Sequence, residues 1–460
     1  MDLHAEIRMT RVESLVQRIA DAIANGKLPP GARLPSIRRQ AQASSVSAFT
    51  VVEAYERLVA QGFIQSQPGS GFFVLARDAR NTQAPAILAD LPVDEHWLLR
   101  NVYNQPEQHL PAGCGWLPGD WFDVEARHRV LRALAREGSL GAEYGNPLGY
   151  PALRAWLAQR LAQCDIPLLS EEILLTQGAS SALNIAAATV ARPGDTLLVD
   201  DPGYCNLLST LTFNGYHLVG VPWNQHGPDT VALESLLKRY RPRAYFTNPW
   251  LQNPTGASYS PATAHQVLSL AERHDFLVVE DNVSADLGST RQPTLAALDN
   301  LQRVIYIGSF SKSLSPGLRV GYIAARAARI EKMVRYKMMS GLTTPEINER
   351  IVLQLLQGGS YRKQLERLRN RLAEAQFHCA RRFEQIGWEL FTRPQDGLFL
   401  LAKPSAPQDS FQLAKRALRE KIILAPGKLF RPYGADSPWL RFNVAYCHDE
   451  TLWRFLRQHA

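Results

Sequence analysis

Long apolar runs are missing from this 460-residue chain. The longest, Ala182–Ala191, is interrupted by Asn184 and Thr189 and reaches about half the span a bilayer needs. The opening stretch, MDLHAEIRMTRVES, has no apolar segment of the kind a secretory leader requires. Cysteine is scarce: residues 114, 164, 205, 379 and 447 sit far apart in sequence, without a CxxC pair or a metal-ligand spacing. These absences set aside membrane-spanning, secreted and zinc-scaffold classes, and they lead us to expect a cytoplasmic chain with reduced thiols, no metal and no membrane contact. A strong bias of charge is lacking too. The net charge is +8, and residues 1–77 hold nine basic against six acidic side chains. That balance permits nucleic-acid binding without establishing it. What is present is 45% hydrophobic residues, enough for a large core, over a length that suggests more than one domain.

The densest basic run is Arg362, Lys363, Arg367, Arg369, Arg371, Arg381 and Arg382. With Leu365, Leu368, Leu372, Ala375 and Phe377 between them it reads as an amphipathic helix with a solvated basic face. The first 77 residues organise differently. Val12–Asn25 is apolar at helical spacing and stops at Gly26. Ser36 can cap a second helix over Ile37–Ala43, and Ser47 a third over Ala48–Gln61, closed by Gly62. FIQSQPGSGFFV then alternates around PGSG as a hairpin does. Helix, helix, turn, helix and hairpin make a winged helix-turn-helix, expected over 1–77. A stretch rich in Ala and Pro, 78–110, reads as a linker. Residues 111–460 alternate short apolar strands with helices (EILLTQG, DTLLVDDPG, YHLVGVPW, RAYFTNP, FLVVEDN, RVIYIGSFS, GYIAA), which predicts an α/β domain with a mainly parallel sheet and a smaller C-terminal α+β part.

The segment PGARLPSIRRQAQASSVSAFTVVEAYERLVAQGFIQSQPGSGFFV resembles the GntR-type winged helix. The likeness implies double-stranded operator DNA as partner. Arg33 and Arg38 would neutralise phosphate, Ser47 and Thr50 would lie on the first turn of the recognition helix, and Gly69, Ser70 and Gly71 would form the wing tip. The arginine usual in this pattern after the serine is replaced by Ala48. The alternative use of such a fold is protein contact or dimerisation.

Four segments of the larger part share one chemistry. In LLTQGASSALN, Gly178, Ala179 and Ser180 stand at a helix start, where free N–H groups and the helix dipole suit a phosphate. NPWLQNPTG offers Asn253, FLVVED ends on Asp281, and GSFSKSLSPGLRVG carries Ser309, Ser311, Lys312 and Arg319. Singly, each has an ordinary reading as a cap, a turn, a strand-end acid or a serine-rich loop. Together, a phosphate cradle, an amide, a carboxylate and a lysine suit a phosphorylated pyridine aldehyde.

Residues 110–460 resemble the fold-type I pyridoxal-phosphate enzymes of the aspartate aminotransferase superfamily, through NPTG, SFSKSLSPGLRVG and YGNPLGYPALR. Joined to a GntR-type winged helix they resemble the MocR/GabR-type transcription regulators. The resemblance implies pyridoxal 5'-phosphate as cofactor, with Lys312 as the Schiff-base lysine, Asp281 on the ring nitrogen and Asn253 on the ring oxygen. Tyr204 would stack on the ring, and Ala179, Ser180, Ser309, Ser311 and Arg319 would bind the phosphate. Tyr144 would reach the phosphate of the neighbouring subunit of a homodimer, and Arg441 would clamp a substrate carboxylate. Tyr204 as ordinary core and Arg441 as a salt-bridge partner are the alternatives. EDNVSADL lacks the family tyrosine after the aspartate, leaving Ser284 with a shorter hydroxyl there.

Two functions follow as expectations: a regulator sensing pyridoxal phosphate or a small amino compound, or a working aminotransferase with an accessory winged helix. If Arg38 touches phosphate, Arg38→Ala should weaken binding to all DNA sequences and reduce the salt slope by about 1 in a titration against sodium chloride. Ala48→Arg should tighten binding by about 1–2 kcal/mol. An unchanged salt dependence in Arg38→Ala would contradict the assignment.

Overall fold

The computed structural model describes residues 10–75, 98, 109–137, 141, 143–290 and 292–459. Two compact units divide the chain, Met1–Leu91 and Pro92–Ala460. Most of the expected linker 78–110 lies outside the described residues. Leu98 and Leu110, inside that expected stretch, pack with the second unit: Leu98 is buried in its core, and Leu110 exchanges backbone hydrogen bonds with Lys421 and Ile423.

The first unit opens on α1 (Arg11–Ala24), whose start is fixed by a capping box between Thr10 and Glu13. Ser36 caps α2 (Ile37–Ser44), and Ser45 in the left-handed conformation turns the chain. Ser47 accepts the Thr50 N–H at 3.1 Å and starts α3 (Ala48–Ala60). β1 (Ile64–Gln67) and β2 (Gly71–Val74) pair antiparallel from Ile64–Val74 to Gln67–Gly71, which is the wing. Leu15, Ile19, Leu34, Val51, Tyr55, Leu58 and Ile64 form its separate core, and the Tyr55 hydroxyl donates to the Pro35 carbonyl at 2.9 Å.

The second unit is built on an eight-stranded sheet in the order β3-β10-β9-β8-β7-β4-β5-β6. The strands are β3 (Ile173–Thr176), β4 (Thr196–Asp201), β5 (His217–Asn224), β6 (Gly227–Pro228), β7 (Ala244–Thr247), β8 (Leu277–Asp281), β9 (Val304–Ser309) and β10 (Gly321–Ala324). Pairs β5–β4, β4–β7, β7–β8 and β8–β9 are parallel, while β10 and β6 run antiparallel to their neighbours. Strands β3, β7 and β10 are buried along their whole length, as expected where helices cover both faces.

One face is covered by α4 (Val124–Leu134), α5 (Pro151–Ala162), α8 (Thr230–Arg239), α9 (Pro261–His274), α10 (Leu295–Asp299) and α12 (Glu346–Gln357). The other carries α6 (Gly178–Val190), α7 (Cys205–Phe213) and α11 (Ala327–Gly341). The smaller part holds α13 (Ser360–Gln385), α14 (Ser410–Arg419), α15 (Glu450–Arg457) and a four-stranded antiparallel sheet. Its strands are β11 (Glu389–Leu390), β12 (Phe399–Lys403), β13 (Ala425–Pro426) and β14 (Leu440–Asn443), in the order β11-β12-β14-β13.

The expected amphipathic helix is α13, with one correction. Phe377 is exposed, because the buried stripe runs Tyr361, Leu365, Leu368, Leu372, Gln376, Cys379 and Phe383, one step round the helix from it. Cys379 and Cys447, remote in sequence, donate to the neighbouring Val444 and Asn443 carbonyls. Among the described residues no helix is long and apolar enough to cross a membrane.

Chain order switches direction at β4: β5 lies on one side of it and β7, β8 and β9 follow on the other. In such sheets the crevice at the carboxyl ends of the strands beside the switch receives the ligand. The smaller part rests on an aromatic cluster in which Phe383 meets Phe442 at 4.8 Å and Trp453 at 4.9 Å. Phe383→Ala should therefore cost about 3–5 kcal/mol in urea unfolding followed by tryptophan fluorescence.

Candidate functional site

The carboxyl ends of β4, β7, β8 and β9 deliver Asp200, Asn248, Asp281 and Ser309 to one crevice. β8 alternates its side chains, so adjacent Glu280 and Asp281 face opposite ways. Glu280 accepts the Leu295 and Ala296 N–H groups and so caps α10. Asp281 turns to the crevice, is 5% exposed, and its Oδ1 has no partner. Burial pushes its carboxyl up to about 7, partly countered by the Val283 N–H and the Lys312 charge.

Lys312 comes from the loop after β9, and its ammonium donates to the Gly115 carbonyl. Burial pulls its amine down to about 8, helped by the Arg441 and Arg319 cations, with Cys114 and Asp281 opposing. A lysine so placed is a competent nucleophile near neutral pH.

At the opposite wall α6 begins without a side-chain cap, leaving the N–H groups of its first turn available. Gly178 has φ +77°, and a Cβ there would stand 2.9 Å from Arg319 Nη2, so only glycine lets the guanidinium lie across the helix start. Burial raises the Tyr204 hydroxyl to about 12, with neighbouring Ser180 opposing the shift. Ser309 Oγ donates to Ser311 Oγ at 3.1 Å and accepts the Ser311 N–H at 3.2 Å. Ala179, Ser180, Ser309, Ser311 and Arg319 thus gather around one helix N-terminus, a cradle suited to a phosphate.

Arg441 on β14 is 2% exposed. It donates to Asn253 Oδ1 at 2.7 Å and to the Gly113 carbonyl at 2.6 Å, and lies 4.7 Å from each of the Phe399 and Phe430 rings. Its Nε has no partner, and it makes no ion pair among the described residues. Ser284 is buried at the head of the short turn Ala285–Leu287. Tyr144 stands 82% exposed.

The sequence did not point to two further contributors. The segment Gly113–Trp116 closes over the crevice, receiving Lys312, Arg441 and, at Trp116, the Asn443 amide at 2.7 Å. A Cβ on Gly113 would meet the Ala425 nitrogen at 2.3 Å, so the paired glycines of PAGCGW were the available signal. Asn248 is the second. Its N–H donates to Asp200 Oδ2 at 2.9 Å, its Nδ2 to the Asp281 carbonyl at 2.6 Å, and its Oδ1 accepts the Asn253 N–H at 2.8 Å.

In the first unit Arg33 and Arg38 are exposed, and the Arg33 guanidinium lies within 3.5 Å of a Cβ built on wing residue Gly71. Gly69 and Ser70 form the exposed hairpin tip, Ser47 caps α3 and Thr50 sits on its first turn.

The bacterial gntR regulatory family matches residues 11–74, and aminotransferase class I and II matches residues 117–458. The uncharacterized HTH-type transcriptional regulator YdcR of Escherichia coli is 30% identical over 95% of this chain and 96% of its own. The chain belongs to the MocR-type transcription regulators. A 2-aminoadipate transaminase of Thermus thermophilus is 33% identical over 71% of this chain and 83% of its own. Among solved structures, the α-aminoadipate aminotransferase LysN of that organism, complexed with N-(5'-phosphopyridoxyl)-L-leucine, matches with TM-score 0.71. It is 29% identical, over 78% of this chain and 94% of its own. This MocR-type regulator therefore has a GntR winged helix and a fold-type I aminotransferase fold.

The residues fit pyridoxal phosphate. A buried carboxylate oxygen without a partner awaits a ring N–H, a lysine amine is depressed, and an uncapped helix start with an arginine suits the phosphate. Capture of pyridoxal phosphate by the cofactor-stripped protein, trapped with borohydride, should rise with pH to half-maximum near 8, where Lys312 loses its proton. Capture still climbing at about pH 10, as for an ordinary lysine, would contradict the depressed amine.

Proposed function

We propose that this regulator senses a small amino compound, or pyridoxal phosphate itself, at the strand-end crevice, and that occupancy there sets how its winged helix holds operator DNA. The cofactor is pyridoxal 5'-phosphate, which when bound supplies an electrophilic carbonyl carbon and an electron-withdrawing ring. Lys312 would hold it covalently. Asp281 would accept the ring N–H through the oxygen that now lacks a partner. Ala179, Ser180, Ser309, Ser311 and Arg319 would bind its phosphate, with Tyr204 along the ring and Asn253 and Ser284 on the side of the ring oxygen. Arg441 would take the carboxylate of an amino-acid-like effector, a role supported by its buried guanidinium without an acid.

Tyr144 would complete the site of a neighbouring subunit, its exposure leaving it available for that. The homodimer would then present two winged helices to two half-sites in the cytoplasm, the second contact gaining from effective concentration. The domain division 1–77, 78–110 and 111–460 expresses the same reading. One observation carries the proposal: the GntR fold and the complete lysine, aspartate and arginine set occur in one chain.

The likeness to transaminases favours a second reading, a working aminotransferase. Fold alone does not supply turnover. The family phenol is absent from EDNVSADL, so one bond that tunes the cofactor is missing, and a ligand converted quickly could not hold a conformational state. Transamination of ordinary amino acids should therefore run far below the enzyme median of about 10 per second. Retention of DNA from its own upstream region should change when pyridoxal phosphate or an amine is added. Lys312→Ala should lose the borohydride-fixed label and that response together. Steady turnover near the median rate, with DNA binding indifferent to the cofactor, would favour the enzyme.

A further inference from the structure

The recognition helix carries an exposed aromatic ring on its first turn. Phe49 is 76% exposed, while Val51, Ala54, Tyr55 and Leu58 pack inward. At 100° per residue, Phe49, Val52, Glu53 and Glu56 share the outward face. That face holds no amide or guanidinium directed at a base from its first two turns. Glu53 and Arg57 pair at 2.7 Å further along. The hydroxyls of Ser47 and Thr50 bond each other at 2.8 Å, and Ser47 also accepts the Thr50 N–H. Apart from Arg57, which is engaged with Glu53, α3 carries no cation, and the nearest exposed ones lie on other elements, with Arg33 at the wing and Arg38 and Arg39 on α2. They would serve the phosphates, and the two carboxylates of α3 would be repelled by phosphate. The helix that must enter the groove therefore offers apolar contact at its leading end, from Phe49 and the Ala48 methyl.

Recognition helices contact base edges with their N-terminal residues, and the apolar group on a major-groove edge is the thymine 5-methyl. We infer that Phe49 is a specificity-determining residue that reads thymine, its ring seated against a 5-methyl group in each half-site. The inference rests on the DNA-reading function and goes beyond it by naming the base and the group recognised.

The test uses the full chain with its cofactor. DNA enriched from a random pool by the wild type should contain an invariant thymine in each half-site, lost from the pool enriched by Phe49→Ala. Replacing that thymine with uracil removes only the methyl and should weaken wild-type binding about fourfold. Phe49→Ala should bind both duplexes alike, and Phe49→Leu should regain part of the preference. Because Phe49 is exposed and touches no phosphate in this reading, Phe49→Ala should keep the wild-type salt slope on nonspecific DNA. Wild-type indifference to uracil at every half-site thymine overturns the inference alone. Failure to enrich any sequence removes the DNA-reading function, and the inference with it.

Discussion

Asn248 holds the site together. One amide side chain and its own N–H tie the carboxyl ends of β4 and β8 to the loop that carries Asn253. The Asp200 carboxylate it meets also accepts the Tyr245 hydroxyl at 2.7 Å, and burial raises that acid to about 6. Asn253 in turn fixes Arg441, and Arg441 fixes the Gly113–Trp116 segment that receives Lys312. The larger sheet and the smaller C-terminal part are thus coupled by a chain of directional bonds through the crevice. In a low-dielectric interior such bonds are strong when complete and costly when broken.

The same crevice contains charge that the protein alone does not neutralise. Asp281 Oδ1 and Arg441 Nε are buried without partners, and the Lys312 amine is held below its ordinary proton affinity. Burying unpaired polar groups costs stability. A ligand that satisfies them stabilises the folded state by mass action.

The winged helix is specified within its own residues. Its helix starts are fixed by its own Thr10, Ser36 and Ser47 caps, and its core is separate. Exposed cations stand on every element around α3: Arg11 and Arg18 on α1, Arg38 and Arg39 on α2, and Arg33 beside the wing.

Local patterning was enough to reveal the winged helix, because caps, turns and alternation act within a few residues. It revealed the strands of the larger sheet for the same reason, since a strand buried on both faces must be continuously apolar. Lys312, Asp281, Asn253 and the helix start at Gly178 were legible because each stands at a strand end or a loop with a distinctive motif. The strand order, the switch beside β4, and the meeting of Gly113–Trp116 with Arg441 were decided only in three dimensions. Residues hundreds of positions apart carry no local signal of their contact. Phe377 makes the same point on a smaller scale: its apolarity suited the buried stripe, but the helix phase set by its neighbours turned it to solvent. Sequence determined which elements form and what chemistry they carry; burial and hydrogen bonding between distant segments decided which groups were left unpaired, and therefore where a ligand is held.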